Sequence, residues 1–240
     1  MAKANEIAYI EEVVRTSGVP LAEFQTYLLD KPFSDPRCHE YLMDVAQIMR
    51  LLPPAPARLL DVGIGSGWTS ELFAKAGYRV TGIDISPDMI DLAKRRNCSA
   101  NFVVSDYEVG PISGTFDAAI IYDALHHADH EGLVIRNIHD CLSDNGILIT
   151  AEPGRGHSTT ENSVQAVQSY GTTEKDMPFK HQRTAMLEAG FRKVDQYMRI
   201  GQMPLTPLSS LSGSISQIRA AAMLVWLSAT GFTSIVVARK

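Results

Sequence analysis

The stretch Leu59-Leu-Asp-Val-Gly-Ile-Gly-Ser-Gly-Trp68 decides the fold. A short apolar run ends at Val62, alternating glycines follow at Gly63, Gly65 and Gly67, and a helical pattern begins at once. Glycine permits a positive φ and a close approach of the backbone to a ligand, and a helix N-terminus presents free N–H groups. The stretch predicts a strand–turn–helix unit that holds a ligand. The alternative is a tight turn without one, which is disfavoured because three glycines cost conformational entropy.

Strand and helix patterns alternate on the carboxyl side of this stretch, whereas three helical patterns and a Pro-rich break precede it. Such alternation predicts an α/β fold, a Rossmann-like doubly wound sheet of seven strands with helices on both faces. We predict an N-terminal helical cap over residues 1–52 and a ligand-binding domain over residues 53–240. Within the second domain, residues 201–230 are predicted to form a helical insertion before the last strand. Periodicity leaves the direction of that strand open.

The insertion contains the most apolar pattern of the chain, a predicted helix from Ile215 to Ala229. Its apolar side chains exceed one amphipathic face, so a second surface must cover it. The N-terminal helices of the same chain are the favoured partner, and the same helix of a second subunit is the alternative. The chain is thus predicted to be a monomer or a homodimer.

Composition excludes several classes of protein. The 240 residues include 22 Lys and Arg against 27 Asp and Glu, a formal charge of -5, with 45% hydrophobic residues. There is no basic run of the kind that grips nucleic acid, and no apolar run approaches the roughly 20 residues that cross a bilayer. Three dispersed cysteines predict reduced thiols, and the charged N-terminus lacks a signal-peptide pattern. We therefore predict a cytoplasmic protein that binds neither nucleic acid nor membrane.

The spacing of the glycines discriminates between ligands. A dinucleotide fingerprint needs G-x-G-x-x-G, but Trp68 stands where its third glycine should be. Asp61 precedes the loop and suits an ammonium group better than a pyrophosphate. The pattern D-x-G-x-G-x-G after a first strand resembles motif I of the class I S-adenosylmethionine (SAM)-dependent methyltransferases.

Further motifs strengthen the resemblance, which covers residues of about 57–200. They are the strand-end acid Asp84, Ser86-Pro-Asp-Met89, Ser105-Asp-Tyr107, Phe116-Asp-Ala-Ala-Ile-Ile-Tyr122, the fifth strand up to Ala151, and Leu187-Glu-Ala-Gly-Phe191. The resemblance implies SAM as cofactor and assigns its binding to Asp61, Gly63, Gly65, Gly67, Asp84, Ile85, Met89, Asp106, Tyr107 and Tyr122. Asp84 would bind the ribose hydroxyls and Asp106 would lie toward the adenine amino group. The competing interpretations are a solvated strand-end acid for Asp84, a turn residue for Asp106 and core packing for Met89.

Histidines follow the fourth predicted strand in Ala124-Leu-His-His127. Ligands lie beyond the carboxyl ends of parallel strands, so His126 or His127 can act as a base toward a methyl acceptor. Glu152 ends the fifth strand and either binds acceptor hydroxyls or only terminates the strand before Pro153. Similar strings in the family often pack against the cofactor, which leaves the base unassigned. We predict no metal, because the acidic trio of magnesium-dependent catechol-type members is incomplete.

The sequence thus predicts an enzyme that moves a methyl group from SAM to an O or N atom of a small molecule, such as a natural product, sugar or other metabolite. The family members that methylate nucleobases carry N/D-P-P-Y/F after strand four, whereas this chain has Tyr122-Asp-Ala-Leu125 there. Methylation of a nucleobase is therefore disfavoured. The alternative is a SAM-binding protein of the same fold with other chemistry or a sensor role.

Overall fold

The computed structural model describes residues 2–202, 222 and 234–240. The predicted helix from Ile215 to Ala229, and nearly all of the predicted insertion at 201–230, lie outside the described residues. The helices are α1 (Ala2–Ile7), α2 (Tyr9–Ser17), α3 (Leu21–Leu29), α4 (Cys38–Leu51), α5 (Trp68–Lys75), α6 (Pro87–Lys94), α7 (Glu131–Cys141), α8 (Glu161–Tyr170) and α9 (Phe179–Ala189). The strands are β1 (Arg58–Val62), β2 (Arg79–Asp84), β3 (Asn101–Val104), β4 (Phe116–Tyr122), β5 (Leu142–Glu152), β6 (Lys193–Met198) and β7 (Ser234–Arg239).

The strands form one sheet in the order β3-β2-β1-β4-β5-β7-β6. Strands β1 to β5 pair in parallel, and β7 runs antiparallel to both of its neighbours, β5 and β6. The predicted seven-stranded α/β fold is confirmed, and the direction that periodicity left open for the last strand is antiparallel. Glu152 and Met198 both pair with Ser234. The last residues of β5 and β6 and the first residue of β7 therefore lie at the same end of the strands.

Apolar side chains cover both faces of the sheet. On one face Ile48 of α4 and Phe73 of α5 pack against Ile120 in one buried cluster, and on the other Ile138 of α7 and Met186 of α9 form part of a second. The central strand β4 has Ala118 to Ile121 almost fully buried. Burial of each isoleucine contributes about 2–3 kcal/mol, which explains why a short apolar run specifies the central strand.

The N-terminal segment departs from the predicted pattern in one place. The first of the three predicted helical patterns forms two helices, because the helix is interrupted at Ala8, which separates α1 from α2. Ile10 and Leu28 pack with Met89 and Leu92 of α6, so α2 and α3 lie against the second βα unit. In residues 2–202, 222 and 234–240, no helix has both the length and the apolar character needed to cross a membrane.

Candidate active site

A cavity of about 700 Å³ opens at the carboxyl edge of the sheet. Its walls come from the loop after β1, the ends of β2 and β4, the segment around α8 and the N-terminal helices. This is where parallel α/β sheets place their ligands, since loops from neighbouring strands diverge there. Of the predicted site residues, the cavity is lined by Gly63, Gly65, Asp84, Ile85, Met89, Tyr107, Tyr122, His126 and His127.

The glycine loop forms the floor of the cavity. Gly63, Gly65 and Gly67 have φ angles of 70°, 52° and 78°, which L side chains rarely adopt. A Cβ on Gly65 would meet no protein atom within 4 Å, although this residue lines the cavity. A Cβ on Gly67 would lie 2.8 Å from Ala93 Cβ, and Gly67 is absent from the cavity wall. This glycine allows α5 to begin close against α6, and its predicted cofactor contact stays a prediction.

Asp84 lies at the end of β2 and faces the cavity with only 8% of its surface exposed. The Gly65 N–H donates to its Oδ2 at 2.8 Å and the Ser86 N–H donates to its Oδ1 at 2.9 Å. Burial raises the pKa of Asp84 to about 6, although these backbone donors oppose the shift. A carboxylate has about four lone-pair positions, so Asp84 keeps acceptor capacity for a further donor such as a hydroxyl of a diol.

Asp61 lies below the loop rather than in it. It is 1% exposed, and its Oδ2 accepts hydrogen bonds from Thr69 Oγ1 at 2.7 Å and Ser70 Oγ at 2.6 Å. Burial raises the pKa of Asp61 to about 6 against these two hydroxyl donors. The carboxylate fastens the start of α5 to β1 and is absent from the cavity wall, and its predicted contact with an ammonium group stays a prediction.

The end of β3 also differs from the prediction. Lys3 of α1 donates to both carboxylate oxygens of Asp106, at 3.0 and 2.8 Å, and Asp106 does not line the cavity. Its neighbour Tyr107 does line the cavity, together with Ile85 and Met89. Burial raises the pKa of the Tyr107 hydroxyl, so this ring stays neutral. The apolar wall expected beside an adenine is therefore present, whereas the predicted carboxylate is already paired with Lys3.

A cluster of charged side chains occupies the opposite wall, beside Tyr122. The Tyr122 hydroxyl donates to Asp44 at 2.7 Å and accepts from Arg199 at 3.0 Å, and Arg199 also pairs with Asp44. Asp123 follows with a φ of 53°, a left-handed conformation that Asp tolerates better than most residues. Burial would raise the pKa of Asp123, but His126 and Arg199 outweigh it and lower that pKa.

Two further cations face this wall, and sequence reasoning did not single them out. Lys31 and Arg37 line the cavity with Asp123 and Arg199. Burial lowers the pKa of Lys31, and its only carboxylate contact in the described structure is Asp35 at 4.0 Å. They lie in the N-terminal segment, which the motif comparison did not reach.

Glu152 anchors the loop after β4. This carboxylate is fully buried. Its Oε1 accepts from the Ala124 and Leu125 N–H groups at 3.1 and 3.0 Å, and its Oε2 accepts from the His126 N–H at 3.3 Å. His126 Nδ1 lies 2.8 Å from the same Oε2. The acceptor positions of Glu152 are filled and it does not line the cavity, so this geometry favours a positioning role, and its predicted contact with the acceptor stays a prediction.

The Glu152 pair determines the state of His126. Because a carboxylate only accepts, Nδ1 of His126 carries a hydrogen, and in the neutral ring the lone pair is therefore on Nε2. Nε2 lies 3.8 Å from Glu174 Oε2. His157 Nε2 contacts the same Glu174 oxygen at 2.7 Å. A lone pair and a carboxylate thus converge at this end of the cavity.

His127 has a different environment. Its Nδ1 lies 2.6 Å from the Thr173 carbonyl oxygen, 3.5 Å from Glu6 Oε1 and 3.8 Å from Glu174 Oε1. Burial alone would lower the pKa of His127, but Glu6 and Glu174 outweigh it and raise that pKa to about 9. His127 therefore carries a positive charge near neutral pH. Glu6 lies in α1 and Glu174 lies in the loop after α8. Because both are far from His127 in the sequence, motif spacing could not predict their contact with it.

Helix α1 lies across the cavity and connects both ends of it. Besides the Lys3 pair with Asp106, Asn5 Nδ2 donates to the Gly171 carbonyl at 3.0 Å, and Glu6 Oε1 accepts from the Thr173 N–H at 2.9 Å. Ser86 Oγ donates to the Ile7 carbonyl at 3.2 Å. The helix thus joins the wall at β3 to the wall at Thr173.

Comparisons with known proteins agree with this geometry. Residues 60–150 match the family model described as a methyltransferase domain. A ubiquinone biosynthesis O-methyltransferase of Xanthomonas axonopodis pv. citri (strain 306) is 33% identical over 111 residues, which cover 43% of this chain and 46% of that protein. The match thus spans just under half the length of that relative.

Two solved structures have a similar fold. An S-adenosylmethionine-dependent methyltransferase from Mesorhizobium loti superposes with a TM-score of 0.61 at 18% identity, covering 82% of this chain and 98% of that one. Haemonchus contortus phosphoethanolamine N-methyltransferase 2, in complex with S-adenosyl-L-methionine, superposes with a TM-score of 0.63 at 18% identity. The superposition covers 95% of this chain and 59% of that one. At such identities the likeness concerns the fold alone. The methyltransferase domain matched over residues 60–150 and the fold of the solved structures confirm the predicted resemblance to the class I SAM-dependent methyltransferases.

Proposed function

We propose that this protein transfers the methyl group of SAM to an O or N atom of a small molecule. One observation supports this most directly: a single cavity joins the Asp84 and glycine-loop end to the end that holds His126, His127 and Glu174. SAM supplies an electrophilic methyl group on a sulfonium centre. The contribution of the chain is to align that group with the acceptor and to exclude water, which lowers the barrier by several kcal/mol.

The cavity fits the chemistry of SAM at three places. Asp84 has acceptor capacity for a ribose hydroxyl, and Gly65 leaves open space at the floor, which a Cβ would fill. Lys31 and Arg37 suit the carboxylate of an amino acid, and the ionised Asp123 suits its ammonium group. We propose that Asp123 has the role that the sequence gave to Asp61. The Asp84 end would then hold the adenosine part of the cofactor, and the Asp123 wall would hold its amino-acid part.

The acceptor is proposed to bind between the loop after β4 and α8. His126 presents its Nε2 lone pair there, and a hydroxyl acceptor must lose a proton, whereas a free amine reacts through its own lone pair. Tyr9, Tyr27 and Pro153 add apolar surface to the same cavity. An acceptor with a ring and at least one polar group fits this wall. Residues 1–52 are proposed to cover the site, in a cytoplasmic protein.

Two measurements test the proposal. Calorimetry with SAM should show saturable binding to one site per chain in the micromolar range. Incubation with SAM and a panel of phenols, sugars and amines should then yield S-adenosylhomocysteine and an acceptor heavier by one CH₂ group. If SAM shows no saturable binding, the proposed function is wrong. Binding without any product across the panel would favour the sensor alternative.

A further inference from the structure

The acceptor end of the cavity contains a group of side chains that the proposed alignment of SAM does not require. His126, His127 and Glu174 each offer one nitrogen or oxygen atom, and these atoms all lie within 4.8 Å of one another. We propose that they bind one divalent transition-metal ion of the Zn²⁺ type, which in turn binds the acceptor's oxygen. This inference rests on the proposed function for its role, but not for the binding of the ion.

The distances suit a shared ion. Two atoms that each lie about 2.0–2.1 Å from one Zn²⁺ are at most about 4.2 Å apart. Glu174 meets this limit toward each histidine through a different oxygen, because its Oε2 lies 3.8 Å from His126 Nε2 and its Oε1 lies 3.8 Å from His127 Nδ1. The three ligand atoms lie within 4.8 Å of one another, so side-chain shifts of a few tenths of an ångström bring them all to one ion. Two imidazole nitrogens with one carboxylate favour a transition ion over Mg²⁺, which prefers oxygen ligands.

The side chains around the ligands have the arrangement found in metal sites. A metal-binding histidine usually donates its other ring nitrogen to a carboxylate, which fixes its orientation. Glu152 does this for His126, at 2.8 Å from Nδ1, and is fully buried. His157 holds Glu174 through the 2.7 Å contact between Nε2 and Oε2. His127 Nδ1 contacts the Thr173 carbonyl, and an ion at this nitrogen would replace its hydrogen.

An independent observation at the same wall also indicates a ligand. Thr172 lines the cavity two residues before Glu174 and is 5% exposed. Its Oγ1 is buried and has no hydrogen-bond partner among the described residues. Buried hydroxyls are nearly always paired, so this one indicates a polar group, such as an acceptor oxygen or an ion-bound water, that occupies the cavity.

The ion explains how a hydroxyl acceptor reacts here. Three protein ligands leave a coordination position for the acceptor, and a bound cation lowers the pKa of a coordinated O–H group. The acceptor's O–H bond breaks, its proton passes to water, and the oxygen keeps the electron pair that forms the new bond to the methyl carbon. In this arrangement His126 is a ligand rather than a proton acceptor.

Calorimetry with Zn²⁺ and visible absorption with Co²⁺ test the site without any acceptor. We expect one ion per chain, a Co²⁺ ligand-field band, and no comparable response to Mg²⁺. Glu174→Gln should abolish the band and the stoichiometric binding, and Glu152→Gln should weaken binding by about 10- to 100-fold. His181→Gln is the matched control, because His181 forms a 2.7 Å pair with Glu131 outside the cavity; this variant should bind as the wild type does.

The same samples separate this inference from the proposed function. Thermal unfolding and SAM calorimetry establish that each variant is folded and still binds cofactor. Stoichiometric binding that survives Glu174→Gln, or the lack of any 1:1 binding in folded protein, would overturn the metal site and leave methyl transfer intact. Conversely, a wild type that binds Zn²⁺ through Glu174 but does not bind SAM would support the site and refute the proposed function.

Discussion

Replacing Gly65 by alanine separates contact with a ligand from strain in the backbone. The φ of Gly65 is 52°, and a Cβ there meets nothing within 4 Å. Among the described residues, the cost is therefore that of the left-handed conformation, about 1–2 kcal/mol for a residue with a side chain. Because Gly65 lines the cavity, the new methyl group takes space that the cofactor needs. We expect Gly65→Ala to weaken SAM binding at least about 100-fold, a loss of about 2.8 kcal/mol.

Gly18 provides the matched control for strain. Its φ is 72°, a Cβ there also meets nothing within 4 Å, and it lies at the end of α2 away from the cavity. Gly18→Ala should lose a similar 1–2 kcal/mol or so in the free energy of unfolding and bind SAM normally. Gly63→Ala should lose more stability than either, because its Cβ would lie 2.5 Å from Ala124 Cβ.

Urea unfolding and SAM calorimetry on the three variants provide the comparison. The reasoning is refuted if Gly65→Ala and Gly18→Ala lose similar stability and both bind SAM with the wild-type Kd. That result would mean that the cofactor does not approach the glycine loop.

Three other substitutions test separate parts of the site. Asp84→Asn should weaken SAM binding by about 2–3 kcal/mol in calorimetry, because a charged acceptor for the ribose hydroxyls is lost. Lys31→Ala should reduce SAM affinity about 10-fold or more while thermal stability changes little, if its ammonium group pairs with the cofactor carboxylate. Asp61→Asn should change the pH dependence of stability: the native pKa of about 6 lies above the ordinary value of 3.8, so Asp61 contributes up to about 3 kcal/mol at pH 4 that is lost as the pH rises above 6. The Asp61→Asn variant should lose less over that window in urea unfolding, and the slope that remains should come from Asp84, whose pKa is raised in the same direction.

Each of these expectations has a clear contrary result. An unchanged Kd in Asp84→Asn would return this residue to the solvated-acid interpretation. If Lys31→Ala binds SAM as the wild type does, another part of the cavity holds the carboxylate. Parallel stability curves for the wild type and Asp61→Asn between pH 4 and 7 would mean that Asp61 is not held in a desolvated environment.

The sequence predicted the sheet well because the signals involved are local. The apolar run Phe116 to Tyr122 matches β4 residue by residue, and the strand-end position of Asp84 places it in the cavity. The direction of the last strand, β7, was not predictable, since a period of two residues is the same for parallel and antiparallel pairs. The break between α1 and α2 at Ala8 also has no proline or glycine to indicate it.

The site was only partly predictable because side-chain orientation and long-range contacts are not encoded in motif spacing. Glu152 was placed correctly at the end of its strand, but its carboxylate turns inward to the loop after β4. Asp106 meets Lys3, 103 residues away. Glu6 meets Thr173, 167 residues away. Such pairs join elements whose docking depends on the whole fold, so a motif that covers residues 60–150 cannot contain them.

The short helix α1 has a consequence for the movement of ligands. It is fastened over the cavity by ion pairs of Lys3 with Asp106 and Glu108 and of Glu6 with His127, and by three hydrogen bonds at Asn5, Glu6 and Ile7. Each such contact contributes about 1 kcal/mol or less, so detachment of α1 costs a few kcal/mol, less than the roughly 5–15 kcal/mol of global unfolding. Segments of this kind open locally while the sheet stays intact. Amide hydrogens of α1 therefore exchange with solvent sooner than those of β4, and ligands can enter and leave during these local openings without disturbing the core.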